Sequence, residues 1–159
     1  MRTGIYVGSF DPVTNGHADI IQRSALLVDR LVVGVLVDAG KHPAFSLEQR
    51  AQMLKKATET LKNVSVQWFS GALLDFAQQQ HADVIIRGLR SEADFEYEAS
   101  WARMNRQLGH GLETIFLMSS PETQFLSSTH VRTIAQLGFD VTPYVPQCIA
   151  KEIIEGFRR

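Results

Sequence analysis

Short, nearly continuous apolar runs alternate along this chain with longer stretches in which apolar positions recur at helical spacing. The runs Ile5–Val7, Leu31–Val37, Val64–Phe69, Val84–Arg87 and Thr114–Leu117 are rich in β-branched residues and read as strands. Between them the 3.6-residue period predicts helices over Gly16–Val28, Leu47–Leu61, Ala72–Gln80 and Ala93–Leu108, followed by Thr129–Leu137 and Gln147–Phe157. Strands that are apolar on both faces and joined by helices require a parallel sheet covered on both sides. The predicted class is therefore α/β: a doubly wound, five-stranded parallel sheet with helices on both faces and right-handed crossovers.

Local signals fit these boundaries. Ser46 followed by Gln49 reads as a capping box opening the second helix. Asn63 and Gly71 punctuate the segments around the third strand, and Gly109-His110-Gly111 reads as a helix-ending turn. No internal repeat, low-complexity tract or Pro/Gly/Ser-rich linker divides the sequence, so residues 1–159 are expected to form a single domain.

Composition narrows the function classes. The 159 residues are 45% hydrophobic, which argues against disorder, and 16 Lys and Arg against 17 Asp and Glu leave a net charge of −1. Proteins that hold nucleic acid or an anionic membrane through a broad basic face need many uncompensated cations, so neither partner is expected. An anionic ligand here must be small and met locally. Cys148 is the only cysteine, which excludes an intramolecular disulfide and a cysteine-based zinc site. It reads as a small apolar packing group. The N-terminus carries no signal-peptide pattern, and no apolar run approaches the roughly 18 residues of a membrane span. The expected location is the cytoplasm.

In doubly wound sheets ligands bind beyond the carboxyl ends of the strands, near the point where strand order reverses. The first such turn is Gly8-Ser9-Phe10-Asp11-Pro12-Val13-Thr14-Asn15-Gly16-His17. It is neither the dinucleotide pattern G-x-G-x-x-G nor the P-loop. It offers a glycine for close approach, the Ser9 hydroxyl, and His17 at a helix N-terminus, where backbone N–H groups and the helix dipole favour phosphate. Asp-Pro and Asn-Gly could also make an ordinary turn, with His17 a plain helix residue.

Three later strand ends carry further candidates. The loop after the second strand holds Lys41. After the fourth come Arg87-Gly88-Leu89-Arg90, Asp94 and Glu98. Arg87 ends an apolar strand, where an unpaired guanidinium is costly, so it needs a carboxylate or a phosphate. Gly88 lets backbone approach a ligand, and Arg90 adds a second guanidinium. Arg90 and Asp94 also stand at i,i+4 helical spacing, which would satisfy both without a ligand. After the fifth strand, Ser127, Ser128 and Thr129 place three hydroxyls at a helix start, as caps, as a phosphate cradle, or both.

The ten-residue turn resembles the G-x-F-D-P-x-T-x-G-H signature of the nucleotidyltransferase superfamily, whose T/H-x-G-H element binds nucleoside triphosphate phosphates. Ser9 stands where many relatives carry threonine, and both are hydroxyl donors. The segment Ser127-Ser128-Thr129, with Arg132 beyond it, resembles the second superfamily signature. Lys41, Ile86-Arg87-Gly88-Leu89-Arg90, Asp94-Phe95-Glu96-Tyr97-Glu98 and Met104-Asn105-Arg106 are narrower. With them the chain, end to end, resembles the bacterial phosphopantetheine adenylyltransferase family. The resemblance implies a Rossmann-like fold, a homohexamer, and the joining of ATP to 4′-phosphopantetheine to give dephospho-coenzyme A and pyrophosphate. It also implies feedback inhibition by coenzyme A.

Carried onto this sequence, the resemblance implies that His17, Lys41 and Arg90 are catalytic, with His17 stabilising the transition state. Ser9, Lys41, Leu73, Arg87 and Asn105 would meet the phosphopantetheine substrate. Ser9, Phe10, His17, Gly88, Leu89, Arg90, Glu98, Thr123, Ser127, Ser128 and Thr129 would meet ATP. Thr123 departs from the aromatic residue that many relatives carry there. A phosphate monoester is already an anionic nucleophile at neutral pH, so direct in-line attack on the α-phosphorus needs no general base. It needs cations, hydroxyls and helix N-termini to hold two polyanions in place. Magnesium is expected with the ATP, with no dedicated carboxylate cage, and Asp11 is expected to fix the turn rather than bind the metal. Two rivals remain at this point: another small-substrate nucleotidyltransferase, of nicotinate-mononucleotide or glycerol-phosphate type, and a catalytically silent nucleotide-binding module.

Overall fold

The computed structural model describes residues 1–37 and 42–157. The strands are β1 (Thr3–Gly8), β2 (Arg30–Val37), β3 (Val64–Ser70), β4 (Val84–Leu89) and β5 (Glu113–Met118). The helices are α1 (Asn15–Ala25), α2 (Leu47–Ala57), α3 (Leu73–Gln79), α4 (Glu92–Leu108), α5 (Ser128–Gln136) and α6 (Gln147–Phe157), with a 3₁₀ turn at Thr142–Tyr144. All strands are parallel, in the order β3-β2-β1-β4-β5. The chain winds outward from β1 to β3, then crosses back to β4 on the other side of β1. Strand order thus reverses between β1 and β4, which pair from Gly4↔Val84 to Tyr6↔Ile86.

The period-2 geometry of the inner strands splits their apolar residues between two cores. Tyr6, Leu31, Val33, Val35, Val84 and Ile86 pack on one side with residues of α1, α2, α5 and α6, including Ile20, Ile21, Met53, Leu54, Val131 and Ile149. Ile5, Val7, Val32 and Ile85 face the other side, with Phe69, Phe76 and Ala77. The expected burial of both strand faces holds for β1, β2 and β4. It fails at the edges: β3 exposes Trp68 to 62%, and β5 has no fully buried residue, because each lacks a neighbour on one side.

Element ends follow local chemistry. The capping box at α2 is present in both directions: the Gln49 N–H donates to Ser46 Oγ at 3.2 Å and the Ser46 N–H to Gln49 Oε1 at 2.9 Å. Two helices stop short of their apolar pattern. α1 ends at Ala25 rather than Val28, and the Asn63 amide donates to the carbonyls of Ala25 and Val28, closing the turn. α2 ends at Ala57 rather than Leu61, where Thr58 donates its hydroxyl to the Leu54 carbonyl at 2.8 Å. The Gly109–Gly111 turn ends α4 with His110 and Gly111 in left-handed conformations. Cys148 corrects an expectation: it is exposed, because α6 turns Ile149, Ala150 and Ile153 inward instead.

Gly34 in β2 has no room for a side chain, since a Cβ there would lie 2.7 Å from Phe76 and 2.9 Å from Val7. Gly34→Ala is expected to cost about 1–3 kcal/mol by overpacking. Chemical denaturation measures this, and a parent-like midpoint and slope would contradict the packing described.

Candidate active site

Beyond the carboxyl ends of β1 and β4 lies a polar cleft of about 560 Å³. It is lined by the turn after β1, the end of β4, the first turns of α1 and α5, and the segment after β5. Of the residues singled out by sequence, Ser9, Phe10, His17, Arg87, Gly88, Arg90, Glu98, Thr123, Ser127, Ser128 and Thr129 line it. Leu73 and Asn105 do not; they line a second, largely apolar cavity of about 430 Å³. The two cavities share Val7, Leu36, Arg87 and Glu98. Leu89 lines neither, its side chain being buried at 3% exposure. Lys41 lies outside the described residues.

His17 is the third residue of α1, and the helix start dictates its orientation. The Thr14 N–H donates to His17 Nδ1 at 3.0 Å, while the His17 N–H donates to Thr14 Oγ1 at 3.3 Å. This is a capping box with imidazole in the usual Glu or Gln position. Because Nδ1 accepts from a backbone amide, the neutral ring carries its proton on Nε2. Burial, reinforced by the positive charges of Arg90 and Arg87, lowers the His17 pKa to about 4. Near neutral pH His17 is thus an uncharged hydrogen-bond donor. The Phe10 ring meets it edge-on at 5.1 Å, and meets Tyr6 at 5.6 Å. Phe10, 2% exposed, packs against His17 at the wall of the cleft. Gly8 permits this, since a Cβ there would lie 3.2 Å from that ring. The same burial pushes the Tyr6 hydroxyl up to about 12.

Arg87 finds a carboxylate. Its Nε and Nη2 donate to the two oxygens of Glu98 at 2.8 and 2.6 Å, and Nη1 donates to the Val7 carbonyl at 2.8 Å. Burial acts to lower its pKa, but the hydrogen bonds and charge of Glu98 raise it above the ordinary value. Glu98, expected to meet ATP, therefore has both oxygens on Arg87. Arg90 takes the internal pairing that its spacing allowed: its Nε lies 3.0 Å from Asp94 Oδ2, and Nη1 reaches the Leu126 carbonyl at 3.4 Å. Gly88 is explained in part by packing, since a Cβ would approach Ile20 to 3.1 Å.

Of the three hydroxyls at α5, Ser127 is the N-cap, accepting from the His130 N–H at 3.1 Å. Ser128 donates to the Pro12 carbonyl at 2.8 Å, joining α5 to the turn after β1. Thr129 Oγ1 accepts from Arg132 Nη2 at 3.1 Å. Arg132, to which the sequence assigned no role, also lines the cleft and donates from Nη1 to the Asp11 carbonyl at 2.5 Å. The Asp11 carboxylate accepts the N–H groups of Ala44 and Phe45 at 2.8 and 2.9 Å, so it fixes the turn as expected. Arg50 was also missed. Its signal was present: it stands three residues after Leu47 and four before Leu54, on the apolar face of α2.

A parallel sheet that delivers glycine, hydroxyls, guanidinium groups and an N-terminal imidazole to one crevice defines a nucleotide-handling transferase, and known proteins agree. A family model described as cytidylyltransferase-like matches residues 5–134. The phosphopantetheine adenylyltransferase of Caldanaerobacter subterraneus subsp. tengcongensis is 46% identical over all of this chain and 99% of its own length. That of Rhodospirillum rubrum is 48% identical over 98% of this chain and 93% of its own. The chain belongs to the cytidylyltransferase-like nucleotidyltransferases and, within them, to the phosphopantetheine adenylyltransferase family. The fold extends further: a bifunctional NMN adenylyltransferase/ADP ribose pyrophosphatase from Francisella tularensis superposes with a TM-score of 0.75 at 15% identity, over 99% of this chain and half of that one.

The lowered His17 pKa has a sign that can be checked. In the unfolded chain imidazole takes its proton near pH 6.5, in the fold only near pH 4. Between these values the unfolded state binds more protons, so stability falls as pH drops from about 6.5 towards 4, by at most about 1.4 kcal/mol per pH unit. His17→Gln keeps a capping-box side chain but does not titrate there. The stability difference between parent and variant is expected to shrink over that window in denaturation curves. Parallel curves would show that His17 titrates normally.

Proposed function

We propose that this chain transfers the adenylyl group of ATP to 4′-phosphopantetheine, giving dephospho-coenzyme A and pyrophosphate. Family membership supports the reaction class, and one geometric observation carries the choice of acceptor: Arg87 stands where the polar cleft meets the apolar cavity. An acceptor with a phosphate at one end and a long, weakly polar arm fits that junction, phosphate towards Arg87 and arm along Leu73, Trp101 and Asn105. Glycerol phosphate has no arm to fill such a groove. Nicotinate mononucleotide would put a charged, planar head into it.

On this proposal an oxygen of the acceptor phosphate forms a bond to the α-phosphorus as the bond to the pyrophosphate oxygen breaks, in line. Pyrophosphate leaves with the electron pair, and no general base is needed. His17 donates from Nε2 to the charge that builds on the transferring group, the role best suited to a neutral, fixed donor. Arg90 and the α5 hydroxyls would meet the nucleotide, with Arg90 exchanging its contact with Asp94. Glu98 would release or share Arg87 as the acceptor phosphate arrives. Lys41 is proposed as a further cation. Magnesium would be held by triphosphate oxygens, because both Asp11 carboxylate oxygens already accept backbone N–H groups. Among the described residues no group of three or more His, Cys, Asp or Glu is arranged to hold a metal.

The whole chain would act as one nucleotidyltransferase domain, in the cytoplasm. No helix among the described residues is long and apolar enough to cross a membrane. A homohexamer is proposed with it, supported by the exposed apolar residues Phe95, Tyr97, Trp101 and Met104 along α4. Coenzyme A, which shares the pantetheine arm, would compete as a feedback inhibitor at the junction.

Pyrophosphate release from ATP, measured side by side with 4′-phosphopantetheine, nicotinate mononucleotide and glycerol 3-phosphate, is expected with the first alone. Release with nicotinate mononucleotide alone would overturn the assignment, and ATP binding without release would favour a silent module. His17→Ala is expected to lower turnover by about 10²–10³-fold, with ATP affinity less affected. Near-normal turnover would remove His17 from the mechanism.

A further inference from the structure

Arg50, the fourth residue of α2, lines the polar cleft at only 5% exposure. Its Nη1 donates to the Ser9 carbonyl at 2.9 Å and to the Leu36 carbonyl at 3.3 Å, while its Nε is buried without a hydrogen-bond partner. No carboxylate among the described residues lies within 4.0 Å of it. Among the described residues its hydrogen-bond partners are backbone carbonyls, which satisfy a buried guanidinium less cheaply than an apolar side chain of similar size would satisfy packing. What the guanidinium adds is a pair of bonds at one place, Ser9 and Leu36, the first residues past the last β1–β2 pair at Gly8↔Val35.

That place is under constraint. Phe10, next to Ser9, has φ 48°, a left-handed conformation that a bulky residue keeps only when its surroundings hold it. Three ties do so. The Asp11 carboxylate takes the N–H groups of Ala44 and Phe45, Arg132 donates to the Asp11 carbonyl, and Arg50 donates to the Ser9 carbonyl. The first two act after Phe10. Arg50 alone of the three acts before it, on Ser9, which lines the cleft.

We propose that Arg50 is a positioning residue for nucleotidyl transfer, clamping the Ser9 and Leu36 carbonyls so that Ser9 and the N–H groups after it point at the incoming phosphates. The role assumes the transfer reaction proposed above, though not its particular acceptor. In-line transfer is sensitive to such placement, and a misplacement of about 1 Å can cost about 10²-fold.

The test compares Arg50→Met, which keeps bulk without donors, with Arg50→Lys, which keeps the charge but not the fork. The assay is pyrophosphate release with whichever acceptor the parent uses. Arg50→Met is expected to lose about 10- to 100-fold in kcat with KM for ATP changed less, and Arg50→Lys to recover part of that loss. Amide hydrogen exchange is expected to quicken across Ser9–Asp11 in Arg50→Met at a temperature where the variant remains folded. Turnover within twofold of the parent in both variants would overturn the proposal, as would a loss that follows the folded fraction. If Arg50→Met does not fold, Arg50→Lys is decisive, and parent-like kcat and exchange there overturn the role. If the parent releases pyrophosphate with no acceptor, the proposed function fails by itself. Exchange at Ser9–Asp11 then decides whether Arg50 holds the turn, parent-like exchange counting against it.

Discussion

The bidentate bond between Arg87 and Glu98 is the interaction on which the rest of the crevice depends. A cation within an apolar strand, beside the sheet's reversal point, cannot be left unpaired. Glu98 meets it from α4, and the Val7 carbonyl meets it from β1. One guanidinium thereby ties together β4, β1 and α4. It also stands at the wall shared by the polar cleft and the apolar cavity. Its positive charge, with that of Arg90, helps to keep His17 neutral. The same side chain thus fixes geometry, stands between two cavities and adds to the burial that keeps His17 neutral.

Around that bond the turn after β1 is held by elements distant in sequence. α2 reaches it through Arg50, the segment before α2 through Ala44 and Phe45, and α5 through Ser128 and Arg132. The strands supply the platform, but pairing between β1 and β2 ends at Gly8 and cannot specify the path of the chain beyond that residue. Side-chain bonds to backbone carbonyls take over there. This division suits a site that must be rigid where the sheet itself has run out.

The elements were legible because their signals are local. Inner strands are short and apolar throughout, and the α2 start carries both halves of its capping box. Arg87, following the apolar run Val84–Ile86, could be assigned a need for a counter-charge from its neighbours alone. Helix ends at Ala25 and Ala57 were harder, because apolar residues continue past both while hydrogen bonds from Asn63 and Thr58 end the helices. Partner choice was less legible still. That Arg90 would take Asp94, or Glu98 both arms of Arg87, depends on side-chain placement that spacing leaves open. Arg50 was hidden for another reason: a lone arginine in a helix reads as a solvated charge unless its position on the apolar face is given weight.

The capping box around His17 carries a consequence for how the site responds to its medium. A neutral donor acts as a short-range dipole, and dissolved ions do little to screen it at contact distance. The guanidinium groups nearby act at longer range and lose reach as ionic strength rises. If the proposed transfer holds, rising salt should therefore weaken the gathering of the two polyanions more than it weakens the His17 donor. Long-range charge and short-range dipole thus stand side by side within one crevice.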